Sequence, residues 1–365
     1  MHTGGLFGNR LTTTREGADR AGMTTISPRG PISASLLGLL PARPESRRAE
    51  IEALGVDVDS AVARSADPFS DDDLQLALLL LYSLSYGSLP GLDDDWEWDP
   101  GAVAIRRTME KRFEAHVRDV LGESELPEPD AESVAAHLFN RTREDEGPSV
   151  ARFIAKNATD EQVREFVIHR SIYTLREADP HSWAIPRLTG RAKAALVEVQ
   201  SDEYGGGRPD WIHARIFAKT MESLGLNSEY GAYIDDVPAE TLASFNLMSM
   251  FGLNRRLRGA IVGHLAAFEM TSSIPNRHYG NGFRRLGYGP DVTLYFDEHV
   301  EADAVHEQIA GRDLAGGLAE AQPELLPDII FGARACLYAD GLVGRHLLSE
   351  WQEGRSSLRT AEAVA

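Results

Sequence analysis

The chain has 365 residues, of which 42% are hydrophobic and 25% are charged, a composition typical of globular proteins. Its formal net charge of −19 and its pI near 5.0 argue against a nucleic acid or an anionic membrane as a partner. The single cysteine, Cys336, excludes an intrachain disulfide and fits a reducing compartment, so we expect a cytoplasmic protein. Because no Cys-x-x-Cys motif occurs, a zinc ribbon or an iron–sulfur site is excluded as well.

The N-terminal part is predicted to be a disordered tail over residues 1–32, followed by helices over residues 33–150. The tail has no apolar segment of the kind found in secretory signals. The helix that starts with the acidic residues 71–73 is apolar on all sides, so we expect it to be central and buried. The longest apolar run, 76–82, is too short to span a bilayer. The predicted helices of this part are 33–40, 46–54, 70–84, 102–121 and 131–140.

Residues 151–352 are predicted to form an all-α core bundle, followed by a flexible tail over residues 353–365. Thr159 and Gln162 form a capping box, and prolines recur at first-turn positions. The predicted helices of this part are 159–178, 186–204, 210–224, 238–250, 254–272, 275–286, 290–310 and 327–351. No linker is long enough to force a domain split, so the N-terminal helices either pack on the core or serve a homodimer interface.

The last of the chemically informative stretches carries two histidines and an aspartate at helical spacing. At about 100° per residue, His299, Asp303 and His306 leave the helix within one narrow stripe. Two imidazoles and a carboxylate on one stripe are a set of transition-metal ligands. The alternative for this triplet alone is a solvated helix face that happens to carry histidines.

Three glutamates stand where apolar residues are expected, each on a different predicted helix. Glu269 and Glu203 each follow apolar residues at i−7 and i−4, and Glu177 follows Phe166 and Tyr173. Since burying a bare carboxylate costs several kcal/mol, such residues are usually paired or bound to metal. A helix end or an exposed position is the alternative for any one of them.

His213 follows Glu203 after an interruption by three glycines, 205–207. Because this break resets the helical phase, spacing alone cannot place the two residues on one face. Asp210, three residues before His213, therefore competes with Glu203 as its chelating partner.

Together these seven residues supply four carboxylates and three imidazoles, a mixture that suits two Fe(II) or Mn(II) ions bridged by a carboxylate. Zinc prefers four ligands and would leave some of them unused. The Glu-x-x-His pair of ferritin-like proteins does not occur, so another helical framework is needed. Arg284 could bind a substrate carboxylate, or could lie on a solvated face, and Tyr204 is a second candidate for a substrate contact.

This ligand pattern resembles the haem-oxygenase-like diiron oxidases and oxygenases, often described as iron-containing redox enzymes. The resemblance covers about residues 155–350, and it implies that the metal ligands are Glu177, Glu203, His213, Glu269, His299, Asp303 and His306. The steps of 26 residues from Glu177 to Glu203, ten to His213, and 30 from Glu269 to His299 are similar to those of an N-nitrosourea-forming member.

The resemblance implies a haem-oxygenase-like helical bundle without haem, two Fe(II) ions, O2 as co-substrate and an external reductant. We therefore expect an oxygenase or oxidase that acts on a small amine or amino-acid-like metabolite, with N-oxygenation favoured by the spacing. Oxidative C–C cleavage, decarboxylation or desaturation by the same site is the alternative reaction. A metal-free enzyme of similar fold, or a non-catalytic metal-storage or ligand-binding protein, is the alternative class.

Overall fold

The computed structural model of the protein describes residues 26–143 and 149–359, without the side chains of residues 301–304. Its secondary structure over these residues is helical and contains no β-strand, which confirms the predicted all-α class. Residues 1–25 and 360–365, parts of the two predicted tails, lie outside the described residues. None of the described helices is both long enough and apolar enough to cross a membrane.

The helices agree with most of the predicted segments to within a few residues. In chain order they are α1 (Pro31–Leu39), α2 (Arg48–Arg64), α3 (Asp72–Tyr86), α4 (Pro100–Leu121), α5 (Ala131–Arg143), α6 (Val150–Lys156), α7 (Asp160–Thr174), α8 (Asp179–Ser182), α9 (Gly190–Glu203), α10 (His213–Ser223), α11 (Ala239–Leu253), α12 (Arg258–Arg285), α13 (Pro290–Gln308), α14 (Gly317–Ala321) and α15 (Leu326–Gln352). A π-helical segment, Ile309–Gly316, joins α13 to α14. Helices α6, α8 and α14 were not predicted from the sequence.

Two errors in the predicted helices occur at residues that weaken a helix. The helix expected to end at Leu54 continues to Arg64, because Val58 and Val62 extend its buried apolar stripe past Gly55. The two helices expected on either side of Pro275 are one, α12. A proline inside a helix costs about 3 kcal/mol, and the packing of α12 against α6, α13 and α15 offsets that cost.

The contact between α12 and α15 is unusually close because it is made through glycines. A Cβ atom added at Gly263 would overlap the carbonyl oxygen of Ile329, and one added at Gly332 would overlap that of Ala260. The two backbones therefore touch directly. This contact fixes the position of α12, the helix that carries Glu269.

The N-terminal helices and the later helices contribute to one hydrophobic cluster. Helix α3 is buried from Leu74 to Ser83, as predicted, and packs against α1, α4 and α11. A smaller cluster, which includes Phe217 and Phe283, lies between α7, α10, α12 and α13. The boundaries at residues 33, 150 and 352 stay a prediction.

We expect Gly332→Ala to lower the free energy of unfolding by about 2–3 kcal/mol, because the added methyl group would push α12 and α15 apart. Gly55→Ala is the matched control: its Cβ would meet nothing within 4 Å, so it should stabilise α2 by about 1 kcal/mol. Urea denaturation of both variants measures the difference, and equal effects would contradict the close contact.

Candidate metal centre

Six of the seven predicted ligand side chains converge in two groups that share one carboxylate. The first group is Glu177, Glu203, His213 and His299, and the second is Glu203, Glu269 and His306. Within each group, one nitrogen or oxygen atom from each residue lies within 4.8 Å of the others. All six residues are buried, although they come from α9, α10, α12, α13 and the turn after α7.

The glycine break between α9 and α10 brings Glu203 and His213 together. Glu203 is the last residue of α9 and His213 is the first residue of α10. Gly205 has a φ of 69°, and a Cβ there would collide with the backbone of Trp211, so only glycine fits this reversal. As a result His213 Nδ1 lies 3.1 Å from Glu203 Oε2.

The alternative partner of His213, Asp210, does not reach the site. Its side chain is 84% exposed and faces Lys219 Nζ at 3.4 Å. The choice between Asp210 and Glu203, which spacing left open, is therefore decided by the turn geometry in favour of Glu203.

Glu177 lies in a turn rather than on a helix, which corrects the predicted extension of that helix to residue 178. Helix α7 ends at Thr174, and the following peptide groups bond over three residues instead of four. Two tyrosine hydroxyls hold the carboxylate in place: Tyr295 donates to both oxygens at 2.7 and 2.8 Å, and Tyr173 donates to Oε1. Burial and the charge of Glu177 raise the pKa of the Tyr295 hydroxyl, so it remains a donor.

The ring orientation of His299 follows from its own helix. Its Nδ1 lies 2.7 Å from the carbonyl oxygen of Tyr295, one turn earlier on α13. Because a carbonyl only accepts, Nδ1 carries the proton in the neutral ring, and Nε2 presents a lone pair. Nε2 faces Glu177 Oε1 at 3.7 Å.

His306 is oriented by a carboxylate that the sequence analysis did not single out. Its Nε2 donates to Asp202 Oδ2 at 2.9 Å, and its Nδ1 faces Glu269 Oε2 at 3.5 Å. A carboxylate behind an imidazole is the usual support of a metal-binding histidine. Asp202 directly precedes Glu203, and that adjacency was the only sequence signal for it.

Burial and mutual charge shift the acid–base equilibria of these groups. At Glu177 burial raises the pKa, but the charges of His299 and His213 outweigh it and the pKa falls below its usual value. At Glu269 burial dominates, with the charge of Glu203 added, and the pKa is raised. Burial lowers the pKa of His213, yet the adjacent Glu203 carboxylate raises it overall. A bound metal dication would supply the positive charge that balances these carboxylates, and its binding would release the protons held by the ligand side chains.

Coordination to an iron ion would satisfy the buried donor atoms better than their contacts with one another do. Glu203 Oε2 and His213 Nδ1 are buried and close, but neither forms a hydrogen bond. An unsatisfied buried polar atom costs about 1–3 kcal/mol, and coordination to a metal ion would satisfy both. Three carboxylates and three imidazoles without a thiolate suit Fe(II) or Mn(II).

A cavity of about 70 Å³ opens beside the two groups. Its wall includes Glu177, Glu203 and His299 together with the apolar side chains of Leu265 and Phe268. This volume admits a few water molecules or a small chemical group. The candidate site thus has room for a reactant next to the carboxylates and imidazoles.

His181 also lines the cavity and was not predicted as a site residue. Its Nε2 lies 3.3 Å from Nδ1 of the buried His264. Burial lowers the pKa of His181 to about 4, so it is neutral at physiological pH. It could not be predicted, because nothing near His181 in the chain indicates its burial.

The three remaining predicted residues are not among the six side chains that converge in the two groups. Tyr204 is 37% exposed, bonds to Asp179 and Ser182, and is not part of the cavity wall. Arg284 is paired with Asp297 and lies outside that wall too. Asp303 is on α13 between His299 and His306, and its side chain lies outside the described residues.

Comparison with known proteins identifies the part of the chain that carries this site. Residues 164–341 match the haem-oxygenase-like family described as iron-containing redox enzyme, and all seven predicted ligand positions fall inside this segment. The match confirms, for this segment of the chain, the resemblance noted in the sequence, and it supports a redox enzyme that contains iron.

Nitrosourea synthase from Streptomyces achromogenes subsp. streptozoticus is a relative with 31% identity over 160 residues. These residues are 43% of this chain and 34% of that protein. The chain therefore matches about a third of the relative's length.

We expect Asp202→Ala to weaken Fe(II) or Mn(II) binding by about 10- to 100-fold, because His306 would lose the carboxylate that orients its ring. Glu198→Ala is the matched control, since it removes an exposed acid one turn earlier on α9. Competition against a metal chelator measures both affinities. An unchanged affinity in Asp202→Ala would refute the supporting role.

Proposed function

We propose that the protein is an O2-dependent non-haem diiron oxidase or oxygenase that acts on a small amine or amino-acid-like metabolite. The observation that carries this proposal is the pair of buried donor groups that share Glu203. One metal ion needs several converging oxygen and nitrogen donors, and two ions with a common carboxylate need two such groups. The match of residues 164–341 to the family described as iron-containing redox enzyme supports iron as the metal.

In this proposal the first group would hold one Fe(II) ion and the second group another, with Glu203 common to both groups and Asp303 as an additional ligand. Two bound Fe(II) ions would supply electrons for the reduction of O2. Tyr295 holds Glu177 through its hydroxyl and His299 through its carbonyl, so a single residue positions two ligands.

The cavity residues bind the organic substrate and keep it beside the metal ions. Leu265 and Phe268 form an apolar part of the wall, which limits the access of water to the reacting atoms. The neutral His181 provides a polar contact without adding charge. The proposal includes an external reductant, because the electrons that two Fe(II) ions would give to O2 must be replaced before the next turnover.

N-oxygenation is the reaction we favour. It is supported by the relative named nitrosourea synthase, which is 31% identical over 160 residues. Carbon–carbon cleavage, decarboxylation or desaturation of the same class of substrate would use the same ligands. A metal-storage protein would instead take up many iron ions per oligomer, with no dependence on an organic substrate.

We expect anaerobic loading with Fe(II) to give about two iron ions per chain, and rapid mixing with O2 to give a transient visible absorption. Glu269→Gln should retain about one iron, because only the second group is broken, whereas Glu203→Gln should lose both. Glu198→Gln, an exposed acid on the same helix as Glu203, should load as the unmodified chain does.

Iron analysis after desalting and circular dichroism of each variant separate loss of metal from loss of fold. Fewer than about one iron per unmodified chain would refute the proposal. Full loading of Glu203→Gln would refute the shared carboxylate, and many irons per chain would identify a storage protein instead.

A further inference from the structure

Arg170 brings a positive charge into the wall of the cavity. It lies on α7 and lines the cavity together with Glu177 and Glu203. Its Nε is buried without a hydrogen bond, and within the described residues its guanidinium forms neither a hydrogen bond nor an ion pair. Its Cζ lies 5.0 Å from the ring centre of Tyr173 and 5.9 Å from that of Phe166.

The same chain shows how a buried arginine is satisfied when its role is structural. The Arg29 side chain is 0% exposed, and its terminal nitrogens bond to Asp72 and to the carbonyl oxygens of Ile234 and Val237. Burying a guanidinium without such acceptors is costly. The aromatic rings beside Arg170 attract its charge but leave its N–H donors unused.

The same cavity is also lined by a hydrogen-bond acceptor that has no donor. Gln200 Nε2 donates to the carbonyl oxygen of Ala178 at 2.8 Å, which fixes the orientation of the amide. Gln200 Oε1 is buried and has no hydrogen bond. Asp340 also lines the cavity, and its negative charge is one of those that raise the pKa of Arg170. The cavity therefore offers both hydrogen-bond donors and hydrogen-bond acceptors.

We infer that Arg170 binds the carboxylate of the substrate, and that the substrate is an amino acid rather than a simple amine. A guanidinium presents two parallel N–H donors to a carboxylate, which is the strongest neutralising contact available to it. Gln200 and Asp340 accept hydrogen bonds from the N–H groups of the same molecule. The inference rests on the proposed function for its place beside the metal ions, but carboxylate binding itself requires no iron.

The test compares matched ligands on the metal-free protein by calorimetric titration. The probes are the proteinogenic L-amino acids and the amines formed from them by decarboxylation, each pair differing only in the carboxylate. We expect at least one amino acid to bind, and its amine to bind at least about 10-fold more weakly, as expected for loss of a charge-assisted contact. Arg170→Gln should reduce amino-acid binding by a similar factor, and Arg170→Lys should recover part of it.

Arg284→Gln is the matched control, because it removes an arginine that is already paired with Asp297 outside the cavity. It should bind the amino acid as the unmodified chain does. The inference is overturned if no amino acid binds at millimolar concentration, if amine and amino acid bind equally, or if Arg284→Gln rather than Arg170→Gln loses binding.

Iron loading of Arg170→Gln keeps this test separate from that of the proposed function. We expect this variant to load as much Fe(II) as the unmodified chain, because Arg170 belongs to neither donor group. Carboxylate binding without iron loading would remove the diiron proposal and leave the role of Arg170 intact. If Arg170→Gln loads iron and binds the amino acid as the unmodified chain does, only the role of Arg170 is refuted.

Discussion

The site depends on one buried carboxylate, Glu203, placed where the chain reverses between α9 and α10. This residue belongs to both donor groups, so its position determines whether the groups are joined or separate. A bare carboxylate at this depth costs several kcal/mol unless positive charge or metal surrounds it. His213 provides such a partner only because Gly205 lets the backbone turn back on itself. The glycines that interrupt the helix are therefore part of the site and not a defect of the bundle.

The surrounding helices act mainly by fixing the orientation of the converging side chains. Tyr295 accepts a hydrogen bond from His299 through its carbonyl group and donates one to Glu177 through its hydroxyl group. Asp202 accepts a hydrogen bond from Nε2 of His306. Rings and carboxylates that are held in this way lose little freedom when a metal ion binds, which favours affinity.

The helices and the set of converging side chains could be predicted because their signals are local. Glu269 stands out as a carboxylate on an apolar stripe, and capping residues mark where helices begin. The supporting residues could not be predicted, because Asp202 and Tyr295 are common residue types whose partners lie far away in the chain. Arg284 shows the converse: its charge suggested a substrate contact, but its distance from the cavity and its pairing with Asp297 appear only in three dimensions.

The positions of the charges also bear on which bond of the substrate can react. A carboxylate bound to Arg170 is neutralised by the guanidinium and does not compete with Glu203 or His213 for a metal ion. A reaction that starts from a carboxylate coordinated to the metal is then disfavoured. The remaining parts of the molecule, its nitrogen atoms and carbon chain, are left to face the donor groups on the same cavity wall. Binding at Arg170 would therefore favour oxidation at nitrogen or carbon over loss of the carboxylate, in agreement with the N-oxygenation that we propose.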